Sequence, residues 1–486
     1  FRRSPPIPRK SPGNRRNNKL IFSFSDVTVS PRQINRILIR KGSLMELHEL
    51  KARVCEEIDR HREEVMAFGT DIWNHPEPGY REVRTAEKAA ERLEKLGLKV
   101  KRGLAVTGFR ADLETGKEGP TVALLGEMDA LILPAHPAAD PVTGAVHACG
   151  HNSHITSLVG AAIGLSAAGV PDSCSGRIAL VGVPAEETLD PDFVKELRAE
   201  GKIHFDCGKP ELIRCGVFDD VDLALMNHAG GDFSVNDFNG YLRKEITFHG
   251  KSSHAALPQE GINAMSAANL AQHALALTKD RWTADPYVRV HGLLTHAGDA
   301  VNVVPDRVTL SYMLRGGSAE MLAMLSRLFD RAFNGAAYAM ETSCEIETRH
   351  GSSPLKNSDA LCELFRRCVS ELVPGARISI KQNYQPGCTD MGDLSRIVPS
   401  LHGYYPGCEG ACHSTDFRIG NPEQAYLLSS KLLACMALEL LAGNAETGRR
   451  IAMEKKEKLP IPEYLKQISA LEAHTLFPPK GFPEKG

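Results

Sequence analysis

The sequence predicts an α/β protein, in which a doubly wound, mainly parallel-sheet domain carries a smaller inserted α+β domain. Three observations support this fold class. Short β-branched and apolar runs alternate with helical patterns after residue 46, polar side chains follow the ends of those runs, and a β-α-β-β-α-β order interrupts the alternation between residues 240 and 350. The chain has 486 residues, which is long enough for two to four domains.

The composition is ordinary for a globular protein, with 42% hydrophobic and 24% charged residues. The formal net charge of -2 offers no broad basic surface, so neither a nucleic acid nor an anionic membrane is expected as a partner. No apolar run approaches the roughly 20 residues of a membrane span. The 12 cysteines are scattered without a paired framework, which favours the reducing cytoplasm.

Residues 1–44 differ from the rest of the chain. Seven arginines and lysines precede the first acidic residue, Asp26, among several Pro, Ser and Asn residues. This pattern fits an arginine-rich transit peptide, or a leader that is disordered or not native. We favour the second interpretation, because Met45 begins a clean amphipathic helix, and we exclude residues 1–44 from the predicted fold.

The first part of the larger domain is predicted over residues 45–239. Apolar residues recur at helical spacing from Leu47, and a second helix is expected to end at Gly97. Four apolar runs predict strands, at residues 107–113, 121–125, 177–183 and 222–226. Polar pairs follow three of these strands: Glu127 with Asp129, Glu186 with Glu187, and Asn227 with His228. Ligands of open α/β sheets bind beyond the carboxyl ends of the strands, so we expect these side chains to converge in one crevice.

The stretch from Ala145 to His154 contains the most informative residues of the chain. Cys149 and His151 lie two positions apart in a glycine-containing turn just before a predicted helix, where anionic ligands are favoured. A lone Cys-Gly-His is weak evidence, because a buried cysteine is usually an inert small hydrophobe. If the three polar pairs lie in the same crevice as Cys149 and His151, metal binding becomes the better interpretation of this stretch.

The adjacent glutamates Glu186 and Glu187 point to opposite sides of an extended segment, so we expect them to differ in role. One can bind a metal while its neighbour holds a metal-bound water. Most such pairs are solvated surface acids. Here the position directly after a buried strand favours a functional pair.

An inserted domain is predicted over residues 240–350, with the split β-α-β order of ferredoxin-like modules. The larger domain resumes over residues 351–445, with a long helix from Glu423 to Leu441, and a C-terminal arm follows over residues 446–486. Prolines from residue 460 onward predict an extended arm over the surface. A zinc knuckle at Cys408, Cys412 and His413 is discounted because it lacks a second ligand pair.

Seven motifs follow one another along the chain: Gly126-Glu-Met-Asp-Ala-Leu131, His147-Ala-Cys-Gly-His-Asn152, Pro184-Ala-Glu-Glu187, the strand end at His228, Ser253-His-Ala-Ala-Leu-Pro258, Asn302-Val-Val-Pro305 and His413. In this order they resemble the M20 metallopeptidases, and most of all their amidohydrolase branch, which has Cys-Gly-His in place of an aspartate. Within that branch, four stretches are similar to aminobenzoyl-glutamate hydrolases and related dipeptidase-like proteins: Ile72-Trp-Asn-His-Pro-Glu77, Cys149-Gly-His-Asn152, Gly216-Val-Phe-Asp-Asp-Val221 and Thr389-Asp-Met-Gly-Asp393. The resemblance extends from about Glu46 to Gly443.

The resemblance implies a metal-dependent hydrolase of amide or peptide bonds with two divalent ions, Zn or Mn, in each subunit. Its substrates would be N-acyl or N-aroyl amino acids or small dipeptides, cleaved by a metal-activated water. Glu186 would be the general base. The implied metal ligands are Cys149, which would bridge the ions, with His151, Glu187, His228 and His413.

The inserted domain resembles the lid and dimerisation domain of this family. There His254 would reach the reacting oxygen of the neighbouring subunit in a homodimer, while Asn302 and Arg315 would hold the substrate carboxylate. His154 is read as a supporting or surface residue. The alternative function is a catalytically silent relative that only binds such ligands, but the complete set of ligands with Glu186 favours an enzyme.

Overall fold

An eight-stranded, mainly parallel sheet forms the larger domain of the protein in a computed structural model. The structure describes residues 47–282, 287–382 and 384–478, except the side chains of residues 171 and 172, so the leader predicted over residues 1–44 lies outside the described residues. The first part of this domain contains, in order, α1 (residues 47–60), α2 (Arg62–Trp73), α3 (Val83–Lys95), β1 (Val100–Leu104), β2 (Gly108–Glu114), β3 (Thr121–Glu127), β4 (Leu131–Ile132), β5 (Ala145–Val146), α4 (His151–Ala167), β6 (Arg177–Val183), α5 (Pro191–Ala199), α6 (Gly208–Arg214), β7 (Leu223–Gly230) and β8 (Phe233–Val235).

The inserted domain and the returning part of the larger domain complete the described chain. The inserted domain contains β9 (Phe238–His249), α7 (Ala264–Leu277), β10 (Arg289–His296), β11 (Arg307–Gly316), α8 (Ala319–Ala339) and β12 (Ser343–Ser352). After it come α9 (Asp359–Leu372), β13 (Ile378–Ile380), β14 (Gln385–Cys388), α10 (Met391–Ile397), β15 (Ser400–Pro406), β16 (Cys408–Glu409), β17 (Arg418–Ile419), α11 (Ser429–Leu441), α12 (Glu446–Ala452), α13 (Ile461–Ser469) and β18 (Ala473–Phe477).

The large sheet has the strand order β1-β2-β6-β3-β7-β15-β8-β13. Its central strands β6, β3, β7 and β15 are all parallel, so their carboxyl ends meet at one edge. Every residue of β3 is buried, as expected for a continuous apolar run that is covered on both faces. Helices α4 and α11 pack on one face, while α6 and α10 belong to the core on the other face.

The inserted domain is an antiparallel sheet covered by two helices. The strand order β10-β11-β9-β12 is that of a ferredoxin-like module, and α7 and α8 bury Phe248, Phe329 and Phe333 against it. Strand β14 of the larger domain pairs with β9, so the two domains are joined beside the carboxyl edge of the large sheet. The predicted fold class is confirmed, whereas the domain boundaries at residues 239, 350 and 445 stay a prediction.

Two elements differ from the sequence prediction. Strand β15 lies in the centre of the large sheet, but its Gly403 and Pro406 gave the segment the composition of a loop. The tail beyond Leu459 is not an extended arm in its described part. It forms α13 and then β18, which adds a fifth strand to the inserted domain by pairing with β12.

Contrary to the expectation that no apolar run approaches the length of a membrane span, one described stretch, Glu423–Leu441, is long and apolar enough to cross a membrane. However, 78% of it is buried inside the protein, where α11 packs against α4. Burial by the protein's own helices explains its apolar composition.

The C-terminal helix should stabilise the larger domain. Tyr464 is 1% exposed, and its hydroxyl donates a 2.9 Å hydrogen bond to Asp393. Tyr464→Ala should lower the free energy of unfolding by about 3–5 kcal/mol through loss of a buried ring. Tyr464→Phe, the matched control, should cost about 1 kcal/mol because only the hydrogen bond is lost. Chemical denaturation measures both, and an unchanged midpoint for Tyr464→Ala would show that the helix does not pack as described.

Candidate metal and active site

A cavity of about 330 Å³ lies at the carboxyl edge of the large sheet, where the inserted domain covers it. We call it the main cavity. Six of the nine residues expected at the site line it: Cys149, Glu186, Glu187, His228, Arg315 and His413. His151 lies beside them with a fully buried side chain. The remaining two, His254 and Asn302, are not among its lining residues.

The turn before α4 places Cys149 and His151. Gly150 precedes the helix with a φ of 85°, and a Cβ at this position would lie 2.6 Å from the Cβ of Ala229 in β7. Only glycine fits both the left-handed backbone and this close approach. The sharp turn lets the neighbouring side chains face the same space, with the Cys149 Sγ 3.6 Å from Nε2 of His228.

His151 is held by carboxylates. Its Nδ1 lies 3.0 Å from Asp129, and its Nε2 lies 3.3 Å from Glu127. Although burial opposes it, these carboxylates together raise the pKa of His151 well above its usual value. Nε2 is buried and has no hydrogen-bond partner among the described residues, so it is available to a metal once the proton is lost.

Cys149 favours the neutral thiol when no cation is present. A hydrogen bond with Cys412, burial, and the nearby carboxylates Glu187 and Glu186 raise its pKa well above the usual value. The predicted benefit of a helix N-terminus for a thiolate is therefore outweighed by buried negative charge. A thiolate at this position requires a cation beside it.

The loop after β6 positions the two glutamates. Ala185 has a φ of 50°, and its N–H donates a 2.7 Å hydrogen bond to the buried carboxylate of Glu82. This strained turn brings both glutamates close to His151, at 4.0 Å for Glu186 and 3.9 Å for Glu187. The N–H of Glu187 also donates to Asp129 at 2.8 Å, which fixes the loop on β3.

A buried lysine links two further carboxylates beneath the cavity. Lys209 has a fully buried side chain, and its Nζ contacts Glu127 at 2.5 Å and also Asp390. Glu127, Asp390 and Glu186 have carboxylate oxygens within 4.8 Å of one another. Burial, with Glu127 and Asp390 nearby, raises the pKa of Glu186 well above its usual value.

Two neighbouring histidines, His228 and His154, differ in whether a ring nitrogen is available to bind a metal. His228 donates from Nδ1 to the carbonyl of Ala229 at 2.8 Å, and burial lowers its pKa to about 3, so its Nε2 is an acceptor that faces Sγ of Cys149 at 3.6 Å. His154 is buried rather than on the surface, with Nδ1 on Glu127 at 3.0 Å and Nε2 accepting from the N–H of Ala229 at 2.9 Å. Both ring nitrogens of His154 are therefore held by other groups, whereas Nε2 of His228 contacts only Cys149, which is itself a candidate ligand.

His413 reaches the site from a loop. Its φ of 64° is left-handed, and its N–H donates to the carbonyl of Ala148 at 2.8 Å. The imidazole is half exposed, with Nε2 at 3.2 Å from Glu187. Hydrogen bonding to Glu187 raises the pKa of His413.

Of the three site residues expected from the inserted domain, one lines the main cavity and two lie elsewhere. Arg315 lies in β11 and faces the cavity. His254 and Asn302 are exposed neighbours, joined by a 3.0 Å hydrogen bond from Ala255 N–H to the Asn302 carbonyl. Within the chain, therefore, the structure does not bring His254 and Asn302 together with Glu186.

The donor set fits a divalent metal. Ligand atoms of Cys149, His151 and Glu187 lie within 4.8 Å of one another, and all three residues are buried. Thiolate, imidazole and carboxylate are the ligands that Zn²⁺ prefers. The unpartnered Nε2 of His151, in a surrounding of acids, fits a cation at this position.

Sequence reasoning missed several residues of this site. Lys209 and Asp390 carry the buried charge network, while His402 and Tyr404 line the cavity from the overlooked strand β15. Cys412 was dismissed with the zinc knuckle, yet it lies against Cys149. The sequence carried no signal that Lys209 is buried, because its acidic partners are 82 and 181 residues away.

Comparison with known proteins agrees with this geometry. The sequence model of peptidase family M20/M25/M40 matches residues 123–439, more than half of the chain. A curated relative, the Xaa-Arg dipeptidase of Mus musculus, is 29% identical over 426 residues, covering 82% of this chain and 91% of the relative.

Two solved structures share the fold. One, described as a dinuclear metal-binding peptidase of the M20 family from Bacillus subtilis, has a TM-score of 0.59 and 20% identity, covering 78% of this chain and 98% of the other. The other is an aminobenzoyl-glutamate utilization protein from Klebsiella pneumoniae, with a TM-score of 0.60 and 21% identity, covering 79% and 98%. The chain therefore belongs to peptidase family M20/M25/M40, as a metal-dependent hydrolase of amide bonds.

Proposed function

We propose that the protein is a two-metal amidohydrolase for N-acyl or N-aroyl amino acids, of the aminobenzoyl-glutamate kind, or for small dipeptides. The observation that carries this proposal is the main cavity itself, where three buried metal-ligand side chains lie beside Glu186. Arg315 in the same cavity provides a counterpart for a substrate carboxylate. The name of the mouse relative, a dipeptidase, supports small substrates of this class.

The metal ligands in this proposal are Cys149, shared between the two ions, with His151, Glu187, His228 and His413. When bound, two divalent ions would lower the pKa of a water molecule and polarise the scissile carbonyl. The thiolate favours Zn²⁺ over Mn²⁺, because Mn²⁺ prefers oxygen ligands. The carboxylate of Asp129 orients His151 by accepting its Nδ1 proton in a 3.0 Å hydrogen bond.

Glu186 is the general base in this proposal. Its carboxylate lies at the edge of the ligand cluster, within 4.8 Å of Glu127 and Asp390. Burial and the negative neighbours raise the pKa of Glu186 and so the proton affinity of its carboxylate, which can accept a proton from water and then donate it to the leaving amine. Glu187, which lies with Cys149 and His151, would serve as a metal ligand instead.

Arg315 and Asn302 would hold the free carboxylate of the substrate. The planar guanidinium of Arg315 can give two parallel hydrogen bonds to a carboxylate. Because Asn302 lies with His254 outside the main cavity of its own chain, we propose that both act on the site of a partner subunit.

A homodimer formed through the inserted domain would bring these residues into place. Strand β10 is the edge of the inserted sheet, and it exposes Leu293 and Leu294. Val301 and Val303, next to Asn302, are also exposed. An unpaired strand edge with apolar side chains is a natural pairing surface.

We place the protein in the cytoplasm. A metal-binding Cys149 must remain a reduced thiol, and the cytoplasm keeps cysteines reduced. Cys149 is 8% exposed and lies against a second thiol, Cys412. In an oxidising compartment this thiol would be open to oxidation and would be lost as a metal ligand.

Cys149→Ala should abolish tight binding of the second metal, because the shared thiolate is lost. Elemental analysis of the purified protein measures the metal content. Cys412→Ala is the matched control, since it removes the neighbouring thiol and should keep both ions. Two ions and full activity in Cys149→Ala would remove Cys149 from the site.

Glu186→Gln should keep its metals but lose turnover by at least ~10², because the amide keeps the shape and cannot accept a proton. Metal content and kcat are measured on the same preparation. Glu187→Gln, the control at the adjacent position, should lose metal as well as activity. If Glu186→Gln is the variant that loses metal, the two roles are exchanged.

A mixture of Glu186→Gln and His254→Ala subunits should regain activity after subunit exchange, since one site of each mixed dimer is then complete. Random pairing should restore about a quarter of the wild-type rate. Losing His254 as an oxyanion donor should cost ~3 kcal/mol of transition-state stabilisation. Because Glu186→Gln lacks the general base, each variant alone should show little activity. Glu186→Gln mixed with Cys149→Ala is the control and should stay inactive, because both sites of that dimer are damaged. A fully active monomer in light scattering would eliminate the cross-subunit role.

A further inference from the structure

Strand β15 places a buried histidine, His402, at the wall of the main cavity. Its side chain lines that cavity, although the residue is only 1% exposed. Both ring nitrogens, Nδ1 and Nε2, are buried and have no hydrogen-bond partner among the described residues. His402 also lies outside the three groups of candidate metal ligands found in the described part of the chain. The metal site therefore gives this side chain no role.

Aromatic rings rather than polar groups surround the imidazole of His402. The ring centroids of His228, Phe238 and Tyr404 lie 5.2, 5.7 and 5.2 Å from its own, in the same order. All three contacts are edge-to-face, a geometry that a phenylalanine ring would satisfy equally well. Packing therefore does not explain why a histidine occupies this position.

Two unpartnered nitrogens make His402 costly for the folded chain. A buried donor or acceptor without a partner has lost its hydrogen bonds to water and gained none in return. The backbone is fixed, since the N–H of His402 donates to Oδ1 of Asn357 at 2.7 Å and β15 pairs in parallel with β7. The strand thus holds the ring at the cavity wall. A residue that costs stability and faces a reaction site is typical of function.

The imidazole of His402 is neutral. Burial lowers its pKa to about 3, and a divalent cation among the neighbouring ligands would favour the neutral ring further. One nitrogen of a neutral imidazole donates a hydrogen bond and the other accepts one. Its complement is a group with both a donor and an acceptor, such as a hydroxyl or a carboxamide. A carboxylate, which only accepts, is better matched by Arg315 in the same cavity.

We propose that His402 is a substrate-binding residue, which forms hydrogen bonds with a hydroxyl or a carboxamide of the substrate inside the main cavity. Tyr404 follows two positions later, on the same face of β15, and it also lines the cavity. Its edge-to-face contact with His402 orients the imidazole. The inference rests on the proposed function, because it requires an amide substrate in the main cavity.

The first test compares substrates of matched shape on the metal-loaded full chain. On the acyl side, N-lactoyl-glutamate is paired with N-isobutanoyl-glutamate, and N-hydroxybenzoyl-glutamate with N-methylbenzoyl-glutamate, both substituted in the para position. On the amino acid side, N-acetyl-asparagine is paired with N-acetyl-leucine, and N-acetyl-glutamine with N-acetyl-homoleucine. Wild type should prefer the polar member by at least ~10-fold in kcat/KM within one of the two series, because the apolar member leaves His402 unpaired. The series with the preference identifies the part of the substrate that reaches His402.

Variants of His402 separate binding from a structural role. His402→Phe keeps an aromatic ring but removes both nitrogens, so the preference should fall close to one while the metal content stays unchanged. Without substrate, this variant should also raise the midpoint of chemical denaturation, because two unpartnered buried groups are removed. His402→Gln retains a donor and an acceptor and should keep part of the preference. His48→Phe, on the exposed face of α1, is the control and should change neither property.

The contrary results separate this inference from the proposed function. Equal rates within both wild-type series overturn the binding role of His402 and leave the amidohydrolase standing, as does a preference that survives in His402→Phe. Loss of metal from His402→Phe would make His402 a metal ligand instead, and a lowered midpoint with an unchanged preference would make it a structural residue. Hydrolysis of no member of either series overturns the proposed function together with the inference. The wild-type comparison needs no variant, so it decides even if His402→Phe fails to fold.

Discussion

The compensation of buried negative charge is the constraint on which this site depends. Acidic side chains at or just after the ends of two strands, β3 and β6, surround His151 in the interior, and Asp390 at the start of α10 lies beside Glu127 and Glu186. Lys209 contacts two of them with a side chain that is fully buried. Burying a carboxylate without a partner costs several kcal/mol, so one lysine cannot stabilise the whole group. A divalent cation among Cys149, His151 and Glu187 would supply the compensating charge, which links stability at this edge of the sheet to catalysis.

The parallel centre of the sheet explains why these groups meet. β6, β3, β7 and β15 are adjacent and run in the same direction, so the residues that follow them emerge at one edge. Two strained positions complete the arrangement, Ala185 and His413, both with left-handed backbones. Each is held by a hydrogen bond to a distant segment, because local preference alone would not maintain it.

In the proposed function, the inserted domain contributes substrate recognition more than chemistry. It places Arg315 and Met313 on the wall of the main cavity. Pairing of β14 with β9 and of β18 with β12 ties the inserted sheet to segments that come later in the chain. The proposed substrate contacts therefore depend on the relative placement of the two domains, whereas the candidate metal ligands all belong to the larger domain.

The sequence by itself determined the fold class and the groups that can carry the chemistry. Apolar periodicity is a local property, so the strands before Glu127 and Glu186 and the ferredoxin-like order could be predicted from it. Strand β15 could not be predicted in this way, because Gly403 and Pro406 disfavour a strand locally. Packing against the neighbouring strands buries the segment and overrides that local preference. Only the tertiary structure decided that Lys209 is buried between Glu127 and Asp390, that Cys412 lies against Cys149, and that His254 lies away from its own site. Each of these is a contact between segments far apart in sequence, and long-range proximity leaves no periodic signal in the chain.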